Sequence, residues 1–155
     1  MTAVRSVCEV MTTHGLCMVI ISLFGTAVLG LAEATLKVAC LPRAEPVTIV
    51  HLDSDALARH EMREVPAHQT GATAIVGCGW GQVDNGSLIV DPDTFAPCPP
   101  DRVGEIWFRG PSAAQGYWQR DEATQETFQA HLADGSGPFM RTGDLGFAKG
   151  REIFV

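Results

Sequence analysis

Residues 73–110 read TAIVGCGWGQVDNGSLIVDPDTFAPCPPDRVGEIWFRG, and this stretch decides the fold class. Three short runs rich in β-branched and aromatic residues, TAIV, SLIVD and GEIWFRG, are separated by a glycine turn and by a proline-rich turn. Short apolar runs that alternate with turn residues in this way are typical of antiparallel strands. The stretch therefore predicts three strands in a hairpin series, within an α+β fold that is mostly β.

Upstream of this stretch, LDSDALARHEMREV (residues 52–65) predicts a short helix. Asp53 or Ser54 can cap its amino end, because a side-chain oxygen at that position accepts a hydrogen bond from a free backbone N–H of the first turn. Leu57 and Met62 then lie roughly on one face of the helix. We expect this helix to have two or three turns.

Downstream, DEATQETF (residues 121–128) predicts a second helix. Asp121 is a candidate cap, and the acidic Glu122 favours the positive amino end of a helix. GSGPFMRTGDLGF (residues 135–147) indicates a turn-rich loop. REIFV (residues 151–155) then begins a strand, and an edge strand at this position would expose unpaired backbone groups.

The composition is that of an ordinary globular protein with enough residues for one domain and its core. The 155 residues carry a formal charge of -7 with scattered Lys and Arg, so no basic patch points to nucleic acid. The five cysteines and five histidines show no spacing typical of a metal site. Reduced thiols packed as small hydrophobic side chains are the simpler interpretation, and they predict a cytoplasmic protein.

The amino-terminal part differs in texture from the rest of the chain. GLCMVIISLFGTAVLGLA (residues 15–32) contains no charge over eighteen residues, which reaches the lower limit for a membrane span. Its three glycines, the single preceding basic residue Arg5 and the acidic Glu9 argue against a membrane segment. A protein tethered to a membrane through this run remains one alternative. Residues 1–24 predict a helix or a buried strand, and we treat them as a segment distinct from residues 25–155.

Two carboxylates stand out by their neighbours. Glu33 is the lone charge in LGLAEATL, and its burial without a partner would cost on the order of several kcal/mol. Asp144 lies in RTGDLG, between two glycines that allow unusual backbone angles. Taken alone, a helix-end cap and an Asx-type turn are the simpler explanations.

Other motifs give weaker signals. The glycines of GCGWGQ (residues 77–82) match neither the dinucleotide pattern nor the phosphate-loop pattern, and they favour a tight turn that leads into a strand. No serine lies in a G-x-S-x-G elbow. The sequence therefore predicts no catalytic nucleophile.

Taken in order along the chain, six segments resemble the adenylate-forming ligases, and most closely the fatty acyl-AMP ligases. They are GLAEATL (30–36), VGCGW (76–80), IVDPDT (89–94), VGEIWFRGPSAAQGYW (103–118), EATQETF (122–128) and GPFMRTGDLGF (137–147). Six collinear motifs arise by chance far less often than one glycine loop. The resemblance covers residues 29–155 and implies part of the large amino-terminal domain of such a ligase, including its distorted β-barrel subdomain.

The resemblance also implies roles for individual residues. Glu33 resembles the family's glutamate that binds Mg²⁺ beside the ATP phosphates, and Asp144 resembles the aspartate that holds the ribose hydroxyls. Gly30 resembles part of the backbone strip beside the adenine. The implied cofactors are therefore ATP and Mg²⁺, the implied partners are a fatty acid and an acyl carrier protein, and the resemblance implies no catalytic residue within the chain. Residues 37–75 occupy the place of the insertion that distinguishes acyl-AMP ligases from CoA ligases.

The sequence departs from the family pattern in ways that bear on activity. The 155 residues contain neither a phosphate loop ending in Pro-Lys-Gly nor the lysine-bearing carboxy-terminal domain, and Leu29 stands where the family usually has an aromatic residue. We expect the polypeptide alone to be inactive, because positioning and electrostatic stabilisation supply most of the catalysis. A truncated or frame-disrupted gene would account for the unrelated first 24 residues. A non-catalytic β-rich module that binds a nucleotide or a protein is the other alternative.

Overall fold

The computed structural model describes residues 47–80 and 86–155, together with four strands nearer the amino terminus. Its elements are β1 (Cys8–Thr12), β2 (Gly15–Ile21), β3 (Ala27–Gly30), β4 (Lys37–Cys40), β5 (Ile49–Asp53), α1 (Ser54–Leu57), β6 (Ala72–Val76), β7 (Gly86–Val90), β8 (Gly104–Arg109), α2 (Asp121–Phe128), β9 (Met140–Lys149) and β10 (Glu152–Phe154). The predicted α+β class with mostly β structure is confirmed.

The strands form three antiparallel sheets with the orders β1-β2-β3-β4, β10-β9-β8-β7 and β5-β6. Within the amino-terminal segment, Cys8–Thr12 and Gly15–Ile21 thus form a pair of strands rather than a helix. Strand β2 pairs with β3, so this pairing crosses the domain boundary expected between residues 24 and 25. The division of the chain at that boundary stays a prediction. Across the described parts of the chain, no helix is both long and apolar enough to cross a membrane.

Strand β8 is the centre of the main sheet, and it is buried on both faces. Its side chains alternate, so that Ile106 and Phe108 pack with Phe128 of α2, while Trp107 packs on the opposite side with Phe139. A strand covered on both faces has a nearly continuous apolar sequence, as GEIWFR does. The stretch that indicated the fold class therefore supplies the centre of its core.

The prediction of one hairpin series is correct for two of its three strands. Strands β7 and β8 pair as expected. Strand β6 instead pairs with β5, which the sequence reasoning missed. The reason is packing, since alternate residues Val50 and Leu52 of β5 are buried in one cluster with Phe147 and Phe154.

Helix α1 has one turn, so the expected two or three turns were wrong. The Asp53 cap is confirmed, because its Oδ1 accepts a hydrogen bond from the Ala56 N–H at 2.9 Å. The chain leaves the helix when His60 adopts a positive φ of 59°. The His60 N–H then donates to Leu57 O and the Glu61 N–H to Ala56 O, which is the Schellman pattern that closes a helix.

Helix α2 begins where the sequence predicted, but its cap was assigned wrongly. Asp121 is the first helical residue, and Arg120 takes the cap position without a side-chain hydrogen bond. Thr124 Oγ1 accepts a hydrogen bond from the Tyr117 N–H at 2.9 Å and so ties the preceding loop to the helix. The acidic first turn remains favourable because of the positive amino end.

Strands β9 and β10 correct two further expectations. Residues 140–149 form a ten-residue strand rather than a turn-rich loop. The predicted strand β10 is present, but its outer edge is not left unpaired. The Cys78 N–H donates to Ile153 O and the Ile153 N–H to Gly79 O, each at 2.8 Å. The glycine-rich segment is therefore part of the sheet edge.

Candidate functional site

The candidate site is a bulge in β9 formed by Thr142, Gly143 and Asp144. Glu105 pairs with Leu145 and Trp107 pairs with Arg141, so that these three residues stand opposite Ile106 alone. Gly143 has a φ of 75°, which an L residue with a side chain rarely adopts. The extra residues of a bulge bend the strand and redirect its side chains, and such bulges are frequent beside functional sites.

The bulge places Asp144 in a buried position. The residue is 3% exposed, and its N–H donates to Thr142 Oγ1 at 3.1 Å. The Thr142 hydroxyl in turn donates to Ile106 O at 2.7 Å. Thr142 therefore links the bulge to the central strand and fixes the backbone from which the Asp144 carboxylate projects.

A second buried carboxylate lies beside the bulge, and the sequence analysis did not identify it. Glu105 is 4% exposed, and its Oε2 accepts hydrogen bonds from Arg141 Nη2 at 2.8 Å and Nε at 3.0 Å. Its Oε1 accepts the Gly143 N–H at 3.0 Å. Such charge-assisted bonds compensate for the loss of hydration of a buried carboxylate. Glu105 and Arg141 lie far apart in the sequence, so their contact could be predicted only from the β8–β9 register.

A cavity of about 420 Å³ adjoins the bulge. It lies between α2 and the strands, and its polar lining includes Glu105, Arg120, Glu126, Arg141 and Thr142. Asp144 is not among its lining residues. The cavity therefore has access to the backbone of the bulge and to the Glu105–Arg141 pair, rather than to the Asp144 carboxylate.

The other two predicted site residues lie in the amino-terminal part. Gly30 ends strand β3, where it pairs with Met18 of β2 and with Lys37 of β4. Glu33 falls outside the described residues. A shared site for Gly30, Glu33 and Asp144 therefore stays a prediction. Within the described part of the chain, no group of three or more His, Cys, Asp or Glu side chains could hold a metal ion.

The two cysteines whose side chains the structure describes are unsuited to nucleophilic attack. Burial raises the pKa of the Cys78 thiol to about 11, and the Glu152 carboxylate nearby acts in the same direction. Burial also raises the pKa of Cys98. Because the thiolate is the reactive form, both side chains stay protonated and unreactive near neutral pH. Both therefore fit the interpretation as packed thiols.

The chain is similar to curated fatty acid ligases. It is 46% identical over 129 residues to the medium-chain-fatty-acid–acyl-carrier-protein ligase JamA of Moorena producens, covering 81% of this chain and 22% of that protein. It is 38% identical over 128 residues to the long-chain-fatty-acid–AMP ligase FadD32 of Mycobacterium marinum, covering 76% of this chain and 20% of that protein. No family model matches the chain. The chain thus spans about a fifth of the length of these relatives.

Solved structures share the fold over the same region. The fatty acyl-adenylate ligase of Legionella pneumophila, solved with acyl adenylate and pyrophosphate, has a TM-score of 0.77 and 34% identity, covering 83% of this chain and 22% of that one. An adenylation domain that selects keto acids, bound to a keto acyl adenylate, has a TM-score of 0.67 and 27% identity over 82% of this chain and 23% of that one. The sequence comparison and the structure comparison therefore point to the same class of proteins.

Proposed function

We propose, since the chain belongs to the adenylate-forming ligases and matches part of their large domain, that it carries the ribose-binding part of an ATP site. Relatives similar in sequence include fatty acid ligases named for AMP or acyl-carrier-protein chemistry. The corresponding reaction joins a fatty carboxylate to the α-phosphate of ATP and releases pyrophosphate. The non-catalytic module and the membrane-tethered protein are not favoured.

The observation that carries this proposal is the setting of Asp144. A carboxylate has two acceptor oxygens, so that it can accept one hydrogen bond from each hydroxyl of a vicinal diol such as ribose. The Thr142 hydroxyl fixes the backbone on the amino-terminal side of Asp144. On the other side, Leu145 returns to the strand ladder opposite Glu105. A carboxylate on a fixed backbone would bind a diol with less loss of conformational freedom than a carboxylate on a mobile segment.

In the proposed site, Asp144 orients the nucleotide and takes no part in proton transfer. Holding the ribose fixes the position of the α-phosphate relative to the fatty acid, and such positioning can lower a reaction barrier by several kcal/mol, up to about 10. The acyl group would then pass to a carrier protein, which is the acceptor named for JamA. We extend this acceptor to the present chain as part of the proposal.

Glu33 and Gly30 complete the proposal in the amino-terminal part. Glu33 would hold Mg²⁺, since carboxylate oxygens are the ligands this ion prefers. A bound Mg²⁺ would neutralise negative charge on the ATP phosphates. Gly30, without a side chain, would let the backbone of β3 approach the adenine closely.

Ribose recognition can be tested on the 155-residue chain by nuclear magnetic resonance titration. We expect ATP to bind more tightly than 2′,3′-dideoxy-ATP. We expect Asp144→Asn to lower the ratio of these two affinities about tenfold, because a charged acceptor becomes neutral. Asp93→Asn is the matched control, since Asp93 is exposed in the β7–β8 connection. Equal binding of the two nucleotides by the unmodified chain would refute the ribose site.

A further inference from the structure

The Glu105–Arg141 pair lies against the bulge that carries Asp144, and the sequence analysis did not include it in the predicted site. We propose that Glu105 is a positioning residue, which sets the bulge geometry needed for ribose binding by Asp144. This inference rests on the function proposed above. It adds a specific residue through which the interior of the sheet controls the affinity for the sugar.

The hydrogen bonds of the bulge show why a side chain must set its shape. In a regular antiparallel pair, backbone groups of one strand bond to backbone groups of the other. Here, three residues of β9 stand opposite Ile106, so the strand ladder cannot serve them all. The Gly143 N–H is instead taken by Glu105 Oε1, at 3.0 Å. The carboxylate of Glu105 thereby replaces a missing backbone acceptor.

Arg141 holds this carboxylate in one orientation. Two guanidinium nitrogens bond to Oε2. Oε1 accepts the Gly143 N–H at 3.0 Å and a longer bond from Arg141 Nε at 3.3 Å. The guanidinium carbon lies 5.5 Å from the ring centre of Phe95 and 5.7 Å from that of Trp107. These aromatic contacts restrict the movement of the guanidinium. The chain of contacts therefore runs from the aromatic side chains through Arg141 and Glu105 to the residue before Asp144.

The chemistry of the pair also argues for a role beyond stability. Glu105 is the buried partner, whereas the Arg141 side chain is 34% exposed. An ion pair with a buried member is often replaceable by apolar residues of similar volume at no cost in stability, so stability does not by itself explain the pair. An apolar pair at these positions could not accept the Gly143 N–H. The function that an apolar pair cannot perform here is to fix that backbone group, one residue before Asp144.

The test compares Glu105→Gln with the unmodified 155-residue chain, again with ATP and 2′,3′-dideoxy-ATP as probes. Gln keeps the size of Glu but presents a neutral amide to the guanidinium, so the clamp loosens. We expect the preference for ATP to fall about tenfold while the affinity for the dideoxy nucleotide is unchanged. Amide hydrogen exchange at Gly143 should become at least tenfold faster.

Two further variants make the result decisive. Arg141→Lys keeps the positive charge but loses the two-nitrogen contact, and we expect a smaller loss of the ATP preference. Glu64→Gln is the control, because it breaks an exposed ion pair with Lys149 away from the bulge, and it should leave the preference intact. Arg141→Lys also serves as the second test of the clamp if Glu105→Gln does not fold.

The outcomes separate this inference from the ribose site itself. Equal weakening of both nucleotides by Glu105→Gln would overturn it, since that pattern indicates a general loss of structure. An unchanged preference in Glu105→Gln, with the preference lost in Asp144→Asn, would overturn the positioning role and leave the ribose site standing. Absence of any preference in the unmodified chain would instead reject the ribose site, and the inference with it.

Discussion

At the scale of single residues, Gly143 is the position where backbone geometry limits the site. Its φ is 75°, and a Cβ built there would meet no atom within 4 Å. An alanine would therefore suffer backbone strain without a steric clash. We expect Gly143→Ala to lower the free energy of unfolding by about 1–2 kcal/mol and also to remove the preference for ATP over its dideoxy analogue.

A second glycine separates the effect on stability from the effect on the site. Gly150, in the β9–β10 turn, has a φ of 62° and is equally free of neighbours within 4 Å of a built Cβ. Gly150→Ala should cost a similar free energy of unfolding and leave the nucleotide preference unchanged. Chemical denaturation measures the first quantity and the titration measures the second. If both variants lost the preference alike, the bulge would have no special role.

At the scale of elements, the end of α1 gives a test of the fold. His60 has a φ of 59°, a conformation in which glycine has no steric penalty. His60→Gly should therefore raise the free energy of unfolding by about 1 kcal/mol. Ala58→Gly is the matched change, because Ala58 has a helical φ of -61° and should lose about 0.5–1 kcal/mol. A lower free energy of unfolding for His60→Gly in a denaturant titration would show that the positive φ of His60 carries no net penalty.

The same elements show how far local sequence determines the fold and the site. The runs around Ile89 and Trp107 were predicted as strands, because turn residues bound them and their side chains fit a pleated sheet. The partner of β6 and the strand character of β9 were missed, since both depend on contacts distant in the sequence. Glu105 was missed for the same reason, because it meets the Gly143 N–H only in the β8–β9 register. Asp144 could be predicted as a site residue because its motif is local and is one of six in order.

At the scale of the whole molecule, the chain spans about a fifth of its ligase relatives. Its 155 residues include the proposed ribose carboxylate but no phosphate loop ending in Pro-Lys-Gly. Negative charge that develops on the phosphates during adenylation needs donors and metal ions placed around it in advance. We therefore expect this polypeptide to bind the nucleoside part of ATP weakly and to leave the α-phosphate unreactive.

Exchange of labelled pyrophosphate into ATP measures that expectation directly. With medium-chain and long-chain fatty acids and Mg²⁺, the 155-residue chain should give the rate of the protein-free blank, whereas FadD32 serves as the positive control. Magnesium-dependent exchange above the blank would contradict the expectation, and its loss in Asp144→Asn would assign the activity to this chain rather than to a contaminant. Ribose preference without exchange would place binding and catalysis in different parts of the ligase, because Asp144 would then recognise the nucleotide without the groups that activate its phosphate.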